Sequence, residues 1–172
     1  MIKALCAACL GAAAALSIAS AEVVSSSDSG FQLSHSTTSD LTPDALFERM
    51  LKPATWWDGA HTFSGDASNL SMKAEAGAYW REDWDGGSVI HGQVMQVIDG
   101  QALMLSAPFG PLAPAGATCV WTMIIAEGED GGSKLISTHT VSGLPGTGLA
   151  ELAGAVDSVM VAGVERLVSG AY

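Results

Sequence analysis

Residues Leu149 to Val168 read LAELAGAVDSVMVAGVERLV, and this stretch decides the fold. Leu149, Leu152, Val156, Val159, Met160, Gly163, Val164 and Leu167 recur at steps of three and four, which places them on one stripe of an α-helix. A breaker-rich turn, Gly143 to Gly148, precedes the stripe, and Gly170 follows it as a candidate C-cap. Upstream, from Phe31 to Val141, short apolar segments alternate with turn signals. One long amphipathic helix after such a series must lie across a sheet, because its stripe has no other large apolar partner. Ala153, Ala155, Ala162 and Gly163 make parts of the helix narrow, so its contact with the sheet is not expected to be filled everywhere.

Immediately before the helix, Lys134 to Val141 reads as the last strand, with Leu135, Ser137, His139 and Val141 on one face. Thr118 to Ala126 is a strongly apolar strand carrying Trp121 and Met123, and Glu127 to Gly132 is an acidic turn between the two. Pro108 to Gly116 holds three prolines, too many for a central strand, and reads as a loop. Further back, Asp99-Gly100 separates strands Val89 to Ile98 and Ala102 to Ala107, and Asp85-Gly86-Gly87 separates Ala78 to Trp84 from the strand after it. A two-residue turn at Asp99-Gly100 sets Val94 opposite Leu105, with Ile90, Val94, Ile98, Leu103 and Leu105 on the core face and His91 pointing away from it. A three-residue turn at Asp85 to Gly87 sets Glu82 opposite Ile90, with Trp80, Glu82 and Trp84 together on the core face.

The start of the domain is read the same way. Leu70 to Ala74 is a candidate strand and His61 to Asn69 a polar loop. Thr42-Pro43-Asp44 opens a short helix over Ala45 to Leu51, with Thr as N-cap and Pro at the first helical position. Pro53 to Gly59 is a second short helix or turn anchored by Trp56 and Trp57, and Phe31 to Thr38 is the first strand. The expected class is α+β, with an antiparallel sheet of about six to seven strands, two short helices after the first strand, and the long C-terminal helix.

Ahead of the domain, Lys3, the apolar run Ala4 to Ile18 and Ala19-Ser20-Ala21 have the layout of a secretory signal with cleavage after Ala21. Residues 1–21 are therefore expected to be removed, and the chain to be periplasmic or secreted, with no stable membrane insertion afterwards. Residues 22–30 are Ser-rich and expected to be a flexible leader, and residues 31–172 a single domain. Cys6 and Cys9 fall in the signal, leaving Cys119 alone in an apolar strand, where it reads as a small buried hydrophobe. The chain has 18 Asp and Glu against seven Lys and Arg, a net charge of −11. Its bases are scattered, which argues against nucleic acid and anionic membrane surfaces as partners.

The order of elements resembles the helix-grip fold of the START/SRPBCC superfamily, which includes the birch-pollen-allergen type and the polyketide cyclases. Finer likeness is to its AHSA-type branch, named for an activator of a chaperone ATPase. It rests on Pro53-Ala54-Thr55-Trp56-Trp57, on Gly92-Gln93-Val94 leading to Asp99 and Leu103, and on Gly110-Pro111-Leu112. It continues in Gly132-Ser133-Lys134-Leu135 running to His139 and Val141-Ser142-Gly143, then Val156-Asp157 and Arg166-Leu167. The resemblance implies a curved sheet wrapped around the C-terminal helix with a cavity between them. An exported chain, unlike the cytosolic activators, would not meet a cytosolic chaperone.

Within such a cavity His139 is a candidate polar handle for a ligand carbonyl or hydroxyl, and its plainer reading is a core histidine with a satisfied hydrogen bond. Glu82 between Trp80 and Trp84 would have a raised pKa and could serve as a general acid, unless a register change puts it in water. Trp121, Met123, Met160 and Gly163 complete the candidate pocket, the methionines being adaptable lining or core filler. His35, His61, His91 and His139 include no local pair at metal-ligand spacing, so no metal and no cofactor is expected. Asp83-Trp84-Asp85-Gly86 opens like a calcium loop but lacks the later ligands. No G-x-S-x-G nucleophile elbow or phosphate-binding glycine loop occurs. The leading expectation is an exported binding domain for a small apolar or amphipathic molecule. A cyclase- or dehydratase-like enzyme using His139 and Glu82, and a protein-interaction module with a protein partner, are the alternatives.

Overall fold

The computed structural model describes residues 20–170. Its core is one antiparallel sheet of eight strands and one long helix. The strands are β1 (Ser20–Ser27), β2 (Gly30–Ser39), β3 (Leu70–Ser71), β4 (Tyr79–Trp84), β5 (Gly87–Ile98), β6 (Ala102–Ser106), β7 (Thr118–Glu127) and β8 (Ser133–Ser142). Their order across the sheet is β1-β2-β8-β7-β6-β5-β4-β3. The first strand of the expected domain therefore pairs with the last, Phe31 opposite Val141 and Leu33 opposite His139. Helix α1 (Pro43–Met50) follows β2, and α2 (Leu149–Ser169) follows β8.

The strand count is eight, not six to seven, because the stretch expected as a leader is itself a strand. Val23 pairs with Leu33 and Ser27 with Gly30 across a tight hairpin at Asp28-Ser29. Polar side chains disguise this strand: at the outer edge of a sheet one row of backbone groups is paired and little apolar surface is required. The expected signal segment lies almost wholly outside the described residues. The candidate strand Leu70 to Ala74 shrinks to Leu70 and Ser71, paired with Glu82 and Arg81.

Alternation works where strands are regular. Leu135, Ser137, His139 and Val141 are buried on β8, Cys119, Trp121, Met123 and Ile125 on β7, and Leu103 and Leu105 on β6. It fails twice on β5. Trp80 pairs with Gly92 but Arg81 with Ile90, leaving His91 as an extra residue. Val94 pairs with Leu105 but Gln96 with Met104, leaving Met95 extra. Each bulge reverses the parity of the strand, so Val94 is buried while Ile90 and Ile98 are exposed. His91, expected to point away, is turned inward and is 7% exposed.

The two hairpin turns also exchange lengths. Trp84 pairs with Gly87 around a two-residue Asp85-Gly86 turn with Gly86 at φ +90°, and Ile98 pairs with Ala102 around a three-residue one. Glu82 therefore opposes Val89, not Ile90. The longer second turn and the Met95 bulge cancel, so Val94 still faces Leu105 as expected.

Helix α2 begins and ends close to the predicted limits, with Gly170 as a left-handed C-cap at φ 67°. Leu149, Ala153, Met160, Gly163, Val164 and Leu167 are buried, whereas Leu152, Val156 and Val159 in the middle of the stripe are only half-buried. Its last carbonyls, unpaired within any helix, are met by α1 and β2: Arg49 donates to Leu167 and Arg166, and the Ser39 hydroxyl to Val168. His35 Nε2 lies 2.7 Å from Asp157 Oδ1, tying β2 to the middle of the helix. Helix α1 starts as read, with the Thr42 hydroxyl accepting from the Ala45 N–H and Pro43 at the first position.

Candidate functional site

The half-buried part of the α2 stripe packs against the core and still leaves space beside it. It lines a cavity of about 300 Å³, to which α2 contributes Leu152, Ala155, Val156, Val159 and Met160. The opposite wall is Trp57, and the loop after β6 closes one side with Phe109, Gly110 and Pro111. The lip is formed by His61, Thr62 and Phe63, and β5 supplies one buried polar side chain, His91. Phe63 is 63% exposed at the mouth, a large apolar side chain left in water beside the opening.

Trp57 and Phe109 line the cavity, backed by Trp56, Trp80 and Trp121. Phe109 stacks on Trp57 at 5.4 Å and meets Trp80 and Trp121 edge-on at 5.2 Å and 5.6 Å. Trp56 packs edge-on against Trp57 and Trp80, both at 5.6 Å. Pro53 starts the turn that presents Trp56 and Trp57, and the Trp57 indole N–H donates to the His61 carbonyl, which holds the lip. Asp58 anchors the same segment to α2. Its carboxylate accepts from the Ala60 N–H and from Arg166 at 2.6 Å, and these bonds hold its pKa below the ordinary value.

The polar element of the site is a pair from adjacent strands. His91 Nε2 is 2.7 Å from Glu82 Oε2, with Glu82 fully buried. Glu82 Oε2 also accepts from the Phe63 N–H at 3.0 Å, and Oε1 from the Ser64 N–H at 2.6 Å. Burial by itself raises the pKa of this carboxyl. The hydrogen bonds from Ser64, from the Phe63 backbone and from His91 outweigh it and hold the pKa below the ordinary value. The expected raised pKa and general-acid role of Glu82 are therefore reversed: the group is an anion. An ionised carboxylate only accepts, so His91 donates this bond through an Nε2–H, and Nδ1 is its second ring nitrogen.

Of the other sequence candidates, one lines the cavity and the rest lie outside it. Met160 lines the cavity. Trp80 and Trp121 stand behind Phe109, buried, and Met123 is buried in the sheet core. Trp84 is half-buried, its ring lying over Gly87 at the hairpin turn. Gly163 faces the tryptophans: a Cβ there would lie 3.0 Å from the Trp57 ring. His139 does face inward, yet it lies below Phe109 and Trp121, at 6.3 Å and 6.4 Å, and does not line the cavity. Its two ring nitrogens have no hydrogen-bond partner. Burial lowers its pKa to about 4, outweighing the Ala107 backbone group that raises it. Glu82 and His139 thus do not converge on one cavity, as a shared acid–base role would require. Cys119 is buried, and burial pushes its thiol up to about 12, which leaves it unreactive.

Trp57, His91, Phe109 and the His61–Phe63 lip are the site residues that sequence reasoning missed. Gly92 was the available signal for His91. An isolated glycine within a strand marks a bulge or a close backbone approach, and a Cβ at Gly92 would lie 2.8 Å from the Ala107 Cβ. Among the described residues no group of three or more His, Cys, Asp or Glu side chains could hold a metal ion, and no helix is long and apolar enough to cross a membrane.

No protein-family model matches the chain, and neither does any curated protein. Solved structures do. An uncharacterized protein from Rhizobium leguminosarum is 17% identical with a TM-score of 0.58, covering 88% of this chain and 95% of its own. A protein from Mesorhizobium loti is 16% identical with a TM-score of 0.57, covering 79% and 93%. DynU16, a protein in the dynemicin biosynthetic locus, is 18% identical with a TM-score of 0.53, covering 80% of this chain and 45% of its own. At such identities the likeness is one of fold, and the chain shares that α+β architecture.

Proposed function

We propose that this protein is a binding domain for a small amphipathic molecule, held between α2 and the aromatic wall with its polar group against His91. The observation that carries this reading is the cavity itself. About 300 Å³ lies at the lower end of the range for small-molecule sites, and its walls are apolar except for a few placed polar groups. A tightly packed helix would have sealed this space; here Leu152, Val156 and Val159 remain half-buried around it.

The mouth is preorganised, since Asp58–Arg166, Trp57–His61 and the two N–H bonds to Glu82 fix the lip from three directions. A ligand then meets a formed site and orders little on entry. The fold neighbours support membership of the SRPBCC group, and the motif order supports its AHSA-type branch. We assign the ligand to the space outside the cytosol, on the signal-like layout of residues 1–21 alone.

Native mass spectrometry of the purified protein, followed by solvent extraction, tests the reading. A small molecule released on denaturation is the expected result. A protein that carries nothing and shows no heat on titration with apolar or amphipathic probes would refute it.

A further inference from the structure

The cavity is apolar except at His91 and the lip, so the character of that one buried nitrogen selects the ligand. We propose that His91 Nδ1, with Glu82 fixing the opposite nitrogen, is a proton-accepting centre, and that the site takes a neutral phenol or enol. This inference rests on the binding reading above and adds the ligand class and the direction of proton transfer.

Three observations lead to it. First, Glu82 cannot rotate away from His91: each of its oxygens is held by a separate backbone N–H, and Oε2 also meets Nε2 at 2.7 Å. A carboxylate so engaged fixes both the tautomer and the orientation of the imidazole, as an orienting carboxylate does beside a general base. Second, the ring is buried, and Trp80, Phe63 and Phe109 surround it at 6.3 Å, 5.7 Å and 6.4 Å. An imidazolium formed there is stabilised by Glu82 behind the ring, and no anionic residue lines the cavity itself. Third, charge excludes the obvious competitor. A carboxylic acid is ionised at neutral pH and would bring a second anion toward Glu82, in a chain whose net charge is already −11. A phenol or enol enters neutral and carries the single O–H donor that Nδ1 accepts.

The ionisable groups that face His91 are Glu82 from β4, on its Nε2 side, and His61 from the lip across the cavity; the cavity-lining residues of α2 and of the loop after β6 are uncharged. In the transfer the ligand O–H bond breaks and its electron pair stays on oxygen. The proton forms an N–H bond at Nδ1. The products are a phenolate or enolate and an imidazolium bridged to Glu82, with no further reactant.

Para-nitrophenol and its methyl ether, para-nitroanisole, are suitable probes, because only the first has a proton to give and its anion absorbs in the visible. The phenol should bind about tenfold tighter than the ether, the effect of one charge-assisted hydrogen bond. It should show the phenolate band at a pH where the free dye is protonated. Nitrogen-resolved NMR of the wild-type protein should find His91 protonated at Nε2 alone, then at both nitrogens when the phenol is bound. His91→Gln, checked for folding by circular dichroism, should lose the phenolate band and the preference for the phenol. Binding of both probes with equal affinity and no phenolate band would overturn the proton-accepting role while leaving the binding reading intact. An Nδ1-protonated tautomer in the free protein would do the same. Failure of both probes to bind would overturn the phenol assignment, and the binding reading falls with it only if native mass spectrometry also finds nothing bound.

Discussion

Glu82 and His91 meet on the inner face of the β4–β5 hairpin, where the two-residue turn sets their common facing and a bulge sets their spacing. In a regular hairpin with Glu82 opposite Val89, parity puts His91 opposite Trp80 and its partner ladder runs on undisturbed. Here Trp80 pairs with Gly92 and His91 is left over. Its ring lies 2.7 Å from Glu82 and under the mouth of the cavity. A backbone irregularity therefore sits at the buried polar contact of the site.

Glu82→Gln should cost about 1–3 kcal/mol of stability. The two oxygens of Glu82 each accept a backbone N–H, from Phe63 and Ser64, and an amide presents only one oxygen. One N–H must be left buried without a partner. Urea denaturation measures the loss, and hydrogen exchange should localise it to the lip.

The same carboxylate contributes to acid sensitivity. Its folded pKa lies below the ordinary 4.5, so its stabilisation is present above the unfolded pKa and is lost as pH falls through the folded one. His139 acts in a higher window. Its folded pKa is about 4 against 6.5 unfolded, so between these values the unfolded chain binds a proton that the native protein refuses. Stability should fall by up to about 3 kcal/mol as pH drops from 6.5 to 4. His139→Phe should flatten that part of the profile; a slope equal to wild type would mean that His139 is not the titrating group.

Filling the cavity from the helix side separates binding from folding. Val156 is half-buried and faces open space, so Val156→Phe should change stability by less than about 1 kcal/mol, since it neither opens a void nor displaces a packed neighbour. Calorimetric titration with para-nitroanisole should lose at least tenfold in affinity, ~1.4 kcal/mol. Undiminished binding would place the ligand elsewhere.

Gly163→Leu should act on stability, at a cost of about 1–3 kcal/mol, because the new side chain meets Trp57 and Trp56 with no room to spare. Thermal unfolding reads this directly. Gly163→Ala should do much less: the Trp57 ring must give by a few tenths of an ångström, against a gain in helix propensity of about 1 kcal/mol.

Arg49→Met should destabilise the protein by about 1–3 kcal/mol. Its guanidinium spans the Leu167, Arg166 and Thr55 carbonyls, and removing it leaves the end of α2 without those donors. The far-ultraviolet circular dichroism of the variant should show partial loss of helix before global unfolding.

The long helix, its C-cap, the Thr42–Pro43 start of α1 and the inner faces of β6, β7 and β8 follow from the sequence alone. Each rests on a local period or a capping residue, and such signals need no distant partner. His139 was placed inward by the same alternation. The tertiary structure decided the rest. Two bulges in β5 and an exchange of turn lengths set the facing of His91, Ile90 and Ile98. Those features are energetically small locally, and neighbouring strands fix them by pairing. β1 was invisible because an edge strand can be polar and still be held by backbone hydrogen bonds. The cavity was hinted at by the alanines and glycine of α2. Its position was not, because the gap lies at Leu152, Val156 and Val159, where Phe109 and Trp57 hold the opposite wall away from the helix. A void is a property of packing among distant segments, and no single stretch of chain encodes it.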